Sequence, residues 1–136
     1  MRTQPLILVV DDESHILHVV SLKLKNAGYQ VITAEDGEEG AAAALEHLPD
    51  MIISDYQMPY MTGLEMCLKL RGEEATRDIP AIMLTARGFS LAEHQLAQAR
   101  ISAVVSKPFS PREILTHVYE LLGDQPQNGQ ENVSTP

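Results

Sequence analysis

Five short β-rich runs, separated by segments of helical period, constrain this chain more than any other feature. They lie at 6–10 (LILVV), 30–33, 51–54 (MIIS), 81–85 (AIMLT) and 103–106 (AVVS). Three of the runs are continuously apolar, as expected of strands with helices packed on both faces of a parallel sheet. Between the runs, apolar residues recur on one helical face: Ile16, Val20, Leu24 and Ala27 early in the chain, and Ile114, Val118, Leu121 and Leu122 near its end. Ala41, Ala44, Leu45 and Leu48 mark a further helix. This alternation predicts an α/β fold, a (βα)5 doubly wound domain on a five-stranded parallel sheet.

Helix starts are signalled by three S/T-x-x-E boxes, Thr62 to Glu65, Ser90 to Glu93 and Ser110 to Glu113. In such a box the hydroxyl accepts from the N3 amide and the Glu accepts from the cap amide. The third box also carries Pro111 at the first helical position. A weaker version, Asp36 to Glu39, opens the helix over Ala41. Gly28 and Gly123 follow helical stripes and suit the left-handed residue that ends a helix. After Gly123 the run DQPQNGQENVSTP is polar and aperiodic, so the domain is expected at 1–123 and a disordered tail or the start of a linker at 124–136.

A chain of 136 residues accommodates one core. Its net charge of -9 argues against gripping a phosphate backbone, so any contact with DNA would come through another chain or domain. No apolar run approaches bilayer length and the N-terminus lacks a secretory signal, which makes the cytoplasm the expected compartment and excludes a membrane-embedded role. The lone Cys67 lies among apolar residues and reads as a small buried hydrophobe. His15 and His18 stand one turn apart with no third ligand evident, and with His47, His94 and His117 they read as solvated helix residues.

Ligands of an open parallel sheet bind beyond the carboxyl ends of its strands. Strand one ends in Asp11-Asp12, strand three in Asp55, strand four in Thr85-Ala86 and strand five in Lys107-Pro108. Singly, each has an ordinary explanation as a helix cap, a β-former or a surface charge. Jointly they place three carboxylates, a hydroxyl and an ammonium on one edge. Carboxylates that close raise one another's pKa, and a hard divalent cation relieves them. Oxygen ligands without His or Cys favour Mg²⁺, or Mn²⁺, over Zn²⁺. Asp55, opposite the acidic pair, is the candidate nucleophile toward phosphorus, with Lys107 and Thr85 holding the phosphoryl oxygens.

With VVDDE (9–13), SDYQMPYMTGLE (54–65), MLTA (83–86) and SKPF (106–109) in this order, the chain resembles the receiver domain of bacterial two-component response regulators over nearly all of residues 5–123. The resemblance implies a flavodoxin-like sheet of order 2-1-3-4-5. It implies a Mg²⁺-dependent transfer of a phosphoryl group to Asp55 from a sensor histidine kinase or a histidine phosphotransfer protein, followed by a switch that changes binding to a downstream protein partner. The metal would be held through Asp12, Asp55 and the backbone carbonyl of Gln57, with Asp11 completing the acidic pair. Thr85 would be the switch hydroxyl, Lys107 the paired lysine, and the Lys107-Pro108 bond cis.

Gln57 and Arg87 would flank the phosphoryl group and govern its lifetime. Such a domain is regulatory rather than a metabolic enzyme. Two features depart from the pattern: Val104 stands where receivers usually carry an aromatic residue, and Arg100-Ile101 where they commonly carry Gly-Ala. A valine has no ring to swing, so the signal is expected to travel through the loop 86–89 and the helix after it. The competing readings are a pseudo-receiver that binds partners without taking phosphate, and a hydrolase of the haloacid-dehalogenase type. The latter needs a second acid where Gln57 stands.

Overall fold

The computed structural model describes residues 3–86 and 90–123. Its elements are β1 (Leu6–Val10), α1 (Ser14–Asn26), β2 (Gln30–Ala34), α2 (Gly37–His47), β3 (Met51–Asp55), α3 (Gly63–Arg71), a 3₁₀ turn at Glu74–Thr76, β4 (Ala81–Thr85), α4 (Glu93–Ala99), β5 (Ile101–Ser106) and α5 (Pro111–Leu122). The strands form one sheet in the order β2-β1-β3-β4-β5, and every neighbouring pair is parallel. This is the expected doubly wound architecture and strand order. The register aligns the carboxyl ends, with Val10 beside Ala34 and Ser54, Asp55 beside Leu84, and Thr85 beside Ser106.

Alternate residues of a strand point to opposite faces, so the fully buried β1, β3 and β4 feed two cores. Ile7, Val9, Ile53, Ile82 and Leu84 pack with Leu17 and Leu24 of α1 and Val118 of α5. Leu8, Val10, Ile52 and Met83 pack with Ala44 of α2 and Met66, Cys67 and Leu70 of α3. Burying each large aliphatic side chain contributes about 1.5–3 kcal/mol. Cys67 is the buried hydrophobe expected, and burial pushes its thiol up to about 11, far from reactive. Among the described residues no helix is long and apolar enough to cross a membrane.

Strands two and five extend beyond their sequence signals, to Ala34 and back to Ile101. The helix starts differ more. Thr62 forms both halves of its box with Glu65, at 3.1 and 2.9 Å. Ser110 accepts from the Glu113 amide at 3.2 Å with Pro111 in the first turn. Asp36 accepts from the Glu39 amide at 2.7 Å, while the Glu39 side chain accepts from Glu35, one residue before the cap. The Ser90 box does not open a helix. Helix α4 begins at Glu93, its cap is Ala92, and Gln95 accepts from the Ala92 amide at 3.1 Å.

Helix α4 ends against α3 through a buried arginine. Arg71 donates to the carbonyls of Ala99 at 2.8 Å, Thr76 at 2.9 Å and Arg100 at 3.3 Å. Arg100 itself stands where the receiver pattern carries glycine and adopts φ 55, the left-handed region glycine favours. Its guanidinium pairs with Asp78. The loop residue Arg87, the rest of 87–89, and the expected tail at 124–136 lie outside the described residues.

Candidate functional site

Strand β1 carries Asp11 out of the core at its last hydrogen bond, where the Asp11 amide donates to the Ala34 carbonyl at 3.1 Å. The Asp11 side chain is fully buried. Its Oδ1 accepts from the Glu13 amide at 2.9 Å, and its Oδ2 has no hydrogen-bond partner among the described residues. Asp12, next in the chain, is exposed.

Asp55 is the last residue of β3 and is buried. What fixes its backbone is α3. A Cβ on Gly63 would lie 2.3 Å from the Asp55 carbonyl oxygen, so only glycine allows the helix to start this close to the strand. The Gly63 amide donates to the Tyr56 carbonyl at 2.9 Å, and the Tyr56 amide donates to Leu84 at 2.8 Å. The strand end is therefore held from the helix on one side and from β4 on the other.

Thr85 closes β4, and its Oγ1 is buried without a partner among the described residues. Its carbonyl accepts from the Lys107 amide at 2.7 Å, which sets the lysine at the end of β5. The Lys107-Pro108 bond is cis, as the resemblance implies. The Lys107 ammonium lies 3.3 Å from Asp55 Oδ1, 3.7 Å from Asp11 Oδ2 and 3.3 Å from Glu13 Oε1. Gln57 and Ala86 line the same cleft with Asp12 and Asp55. Val104, three residues before Lys107, is an exposed side chain of β5.

Electrostatics divide the cluster. Burial raises the Asp11 carboxyl to about 6, against the lowering effects of the Glu13 amide and the Lys107 ammonium. Burial also raises Asp55, and Lys107 opposes it. For Lys107, burial alone would favour the neutral amine, but Asp11, Asp55 and Glu13 together hold its pKa above the ordinary value. Carboxylate oxygens of Asp11, Asp12 and Asp55 lie within 4.8 Å of one another. Opposed ligands on Mg²⁺ are about 4.2 Å apart, and the orphaned Asp11 Oδ2 offers a lone pair, so the donor set fits a hard divalent cation. His15 and His18 are exposed, and among the described residues Asp11, Asp12 and Asp55 are the one group with metal-ligand spacing.

The structure thus brings Asp11, Asp12, Asp55, Thr85 and Lys107 to one edge, with Gln57 at the rim. Sequence reasoning left Glu13 without a role. Its one signal is that it is the third acid of the Asp11-Asp12-Glu13 run.

The family model for the response regulator receiver domain matches residues 7–119. The transcriptional regulatory protein ResD of Bacillus subtilis is 39% identical over 130 residues, which cover 96% of this chain and 53% of that protein. The chain spans about half the length of the curated relatives it matches. Among solved structures, the chemotaxis response regulator CheY4 of Vibrio cholerae superposes with a TM-score of 0.80 at 34% identity, over 87% of this chain and 98% of that one. The receiver domain of the sensor histidine kinase PA1611 from Pseudomonas aeruginosa, solved with magnesium in its active site cleft, gives 0.79 at 26% identity, over 89% and 99%. In sequence, topology and the arrangement of its acidic edge, this chain belongs to the response regulator receiver domain family.

Proposed function

We propose that the chain is a phosphoacceptor of a two-component system and that Asp55 takes the phosphoryl group. The observation that carries this reading is the contact of a buried strand-end carboxylate with an ammonium at 3.3 Å, beside two further carboxylates of the same edge. In the proposed step a bond forms from an Asp55 oxygen to phosphorus as the P–N bond of a phosphohistidine donor breaks. The imidazole nitrogen leaves with the electron pair, and the product on the chain is an acyl phosphate.

Lys107 keeps Asp55 ionised for attack and then holds a phosphoryl oxygen by charge. Thr85 Oγ1, buried and without a partner among the described residues, gains a hydrogen bond once a phosphoryl oxygen is present. Mg²⁺ held by Asp11, Asp12, Asp55 and the Gln57 carbonyl would neutralise the acidic edge and the incoming phosphoryl charge. The magnesium recorded in the PA1611 receiver supports that choice of metal.

The donor is a sensor histidine kinase or a histidine phosphotransfer protein in the cytoplasm, and the output is altered binding to a downstream protein. Residues 1–123 form the receiver unit, with 124–136 as a tail or the start of a linker. The relatives named as transcriptional regulators are about twice as long as this chain, which, with its net charge of -9, makes no direct contact with nucleic acid in this reading.

The test is intact-mass measurement after incubation with phosphoramidate and Mg²⁺. The parent chain gains one phosphoryl group and Asp55→Asn gains none. A parent chain that gains nothing overturns the reading in favour of a pseudo-receiver, and equal labelling of Asp55→Asn moves the acceptor elsewhere.

A further inference from the structure

We propose that Glu13 is a positioning residue for Lys107 that restrains phosphorylation, an inference that rests on the phosphoacceptor reading of Asp55. Glu13 occupies the N-cap of α1 with extended dihedrals, φ -97 and ψ 111, yet its side chain makes no capping bond. A cap residue ordinarily turns its oxygen back to the first helical amides. Here the carboxylate reaches instead to the end of β5, 94 residues away in the chain, and accepts from Lys107 Nζ at 3.3 Å.

An ammonium has three protons to donate, and three carboxylates surround this one. Two of them, Asp55 and Asp11, are buried, and Glu13 is largely exposed at the cleft's rim. Only Glu13 is free to move off without breaking the strand ends.

A phosphoryl group on Asp55 needs the same ammonium. While Glu13 holds part of it, the lysine is drawn toward the rim and shared. Glu13 is also a like charge for the incoming phosphoryl oxygens in the cleft that it lines. Competition for Lys107 and repulsion of phosphate have the same sign, so both make Glu13 a brake. The neighbouring Asp11 and Asp12 cannot be given this part, because the acidic edge needs them as ligands.

The experiment follows Asp55 labelling over time by intact mass, with phosphoramidate and saturating Mg²⁺, in the full chain. Glu13→Gln raises the rate about twofold to fivefold, the span an exposed ion pair supplies. Glu38→Gln removes an equal charge from an exposed position at the start of α2 and leaves the rate unchanged. Raising the ionic strength screens the Glu13 pair and brings the parent rate toward that of Glu13→Gln.

A Glu13→Gln rate equal to or below the parent's overturns the inference. So does an equal gain in Glu38→Gln, which would make the effect one of net charge and not of the lysine contact. A labelled parent with an unmoved Glu13→Gln removes only the role of Glu13, whereas an unlabelled parent removes the phosphoacceptor reading with it.

Discussion

Asp11 shows what a single buried charge costs the fold that carries it. Fully buried, with one oxygen bonded to the Glu13 amide and the other without a hydrogen bond among the described residues, it is a carboxylate that folding would rather protonate. Burial raises it from 3.8 to about 6. A raised carboxyl stabilises the fold fully below its ordinary range, and the contribution is lost as pH rises through about 6. Lys107, shifted upward, loses its charge only in the alkaline range and does not mask this window. In a chelator, the urea stability of the parent should fall between about pH 4 and pH 7, by at most about 3 kcal/mol from this group. Asp11→Asn keeps an oxygen for the Glu13 amide and carries no charge. It should be more stable than the parent at pH 8 and level with it near pH 4. A parent curve no steeper than that of Asp11→Asn across this window would show that the buried carboxyl stays ionised at no cost.

At the level of elements, helix starts separate what a sequence displays from what it decides. The Thr62, Ser90 and Ser110 boxes read alike, but Thr62 alone forms both halves with its Glu, and Ser90 stands outside α4 altogether. Thr62→Ala should therefore cost about 1 kcal/mol in denaturant unfolding, while Ser90→Ala should be neutral. A cost at Ser90 equal to that at Thr62 would place the start of α4 where the sequence signal put it. The strands were legible because continuous apolar runs between helical stripes admit few other structures, and the acids, Thr85 and Lys107 were legible because each ends such a run. Glu13 and Arg71 were not. A glutamate before a helix and an arginine in a last turn ordinarily face solvent, and only the completed fold brings Lys107 to the first and the carbonyls of Ala99 and Arg100 to the second.

Across the whole molecule, two apolar cores on opposite faces of the sheet hold the strand ends in register, and the register collects like charges at one edge. The arrangement stores a cost in the fold that a bound cation would relieve, so metal binding at this edge would raise global stability. A ligand that binds only the native state adds RT ln(1 + [L]/Kd), about 1.4 kcal/mol at ten times Kd. For a domain of this size that raises the melting temperature by several degrees. Mg²⁺ should produce this shift at pH 8, and the shift should shrink toward pH 5 as Asp11 takes a proton in competition with the metal. NaCl at matched ionic strength should not reproduce it, because screening acts on the net charge of -9 and not on one cleft. Asp12→Asn combined with Asp55→Asn should abolish the increment while leaving the NaCl response as it was. An equal rise with NaCl, or one that survives the double substitution, would mean that Mg²⁺ acts on the surface at large and that the acidic edge does not bind it as a site.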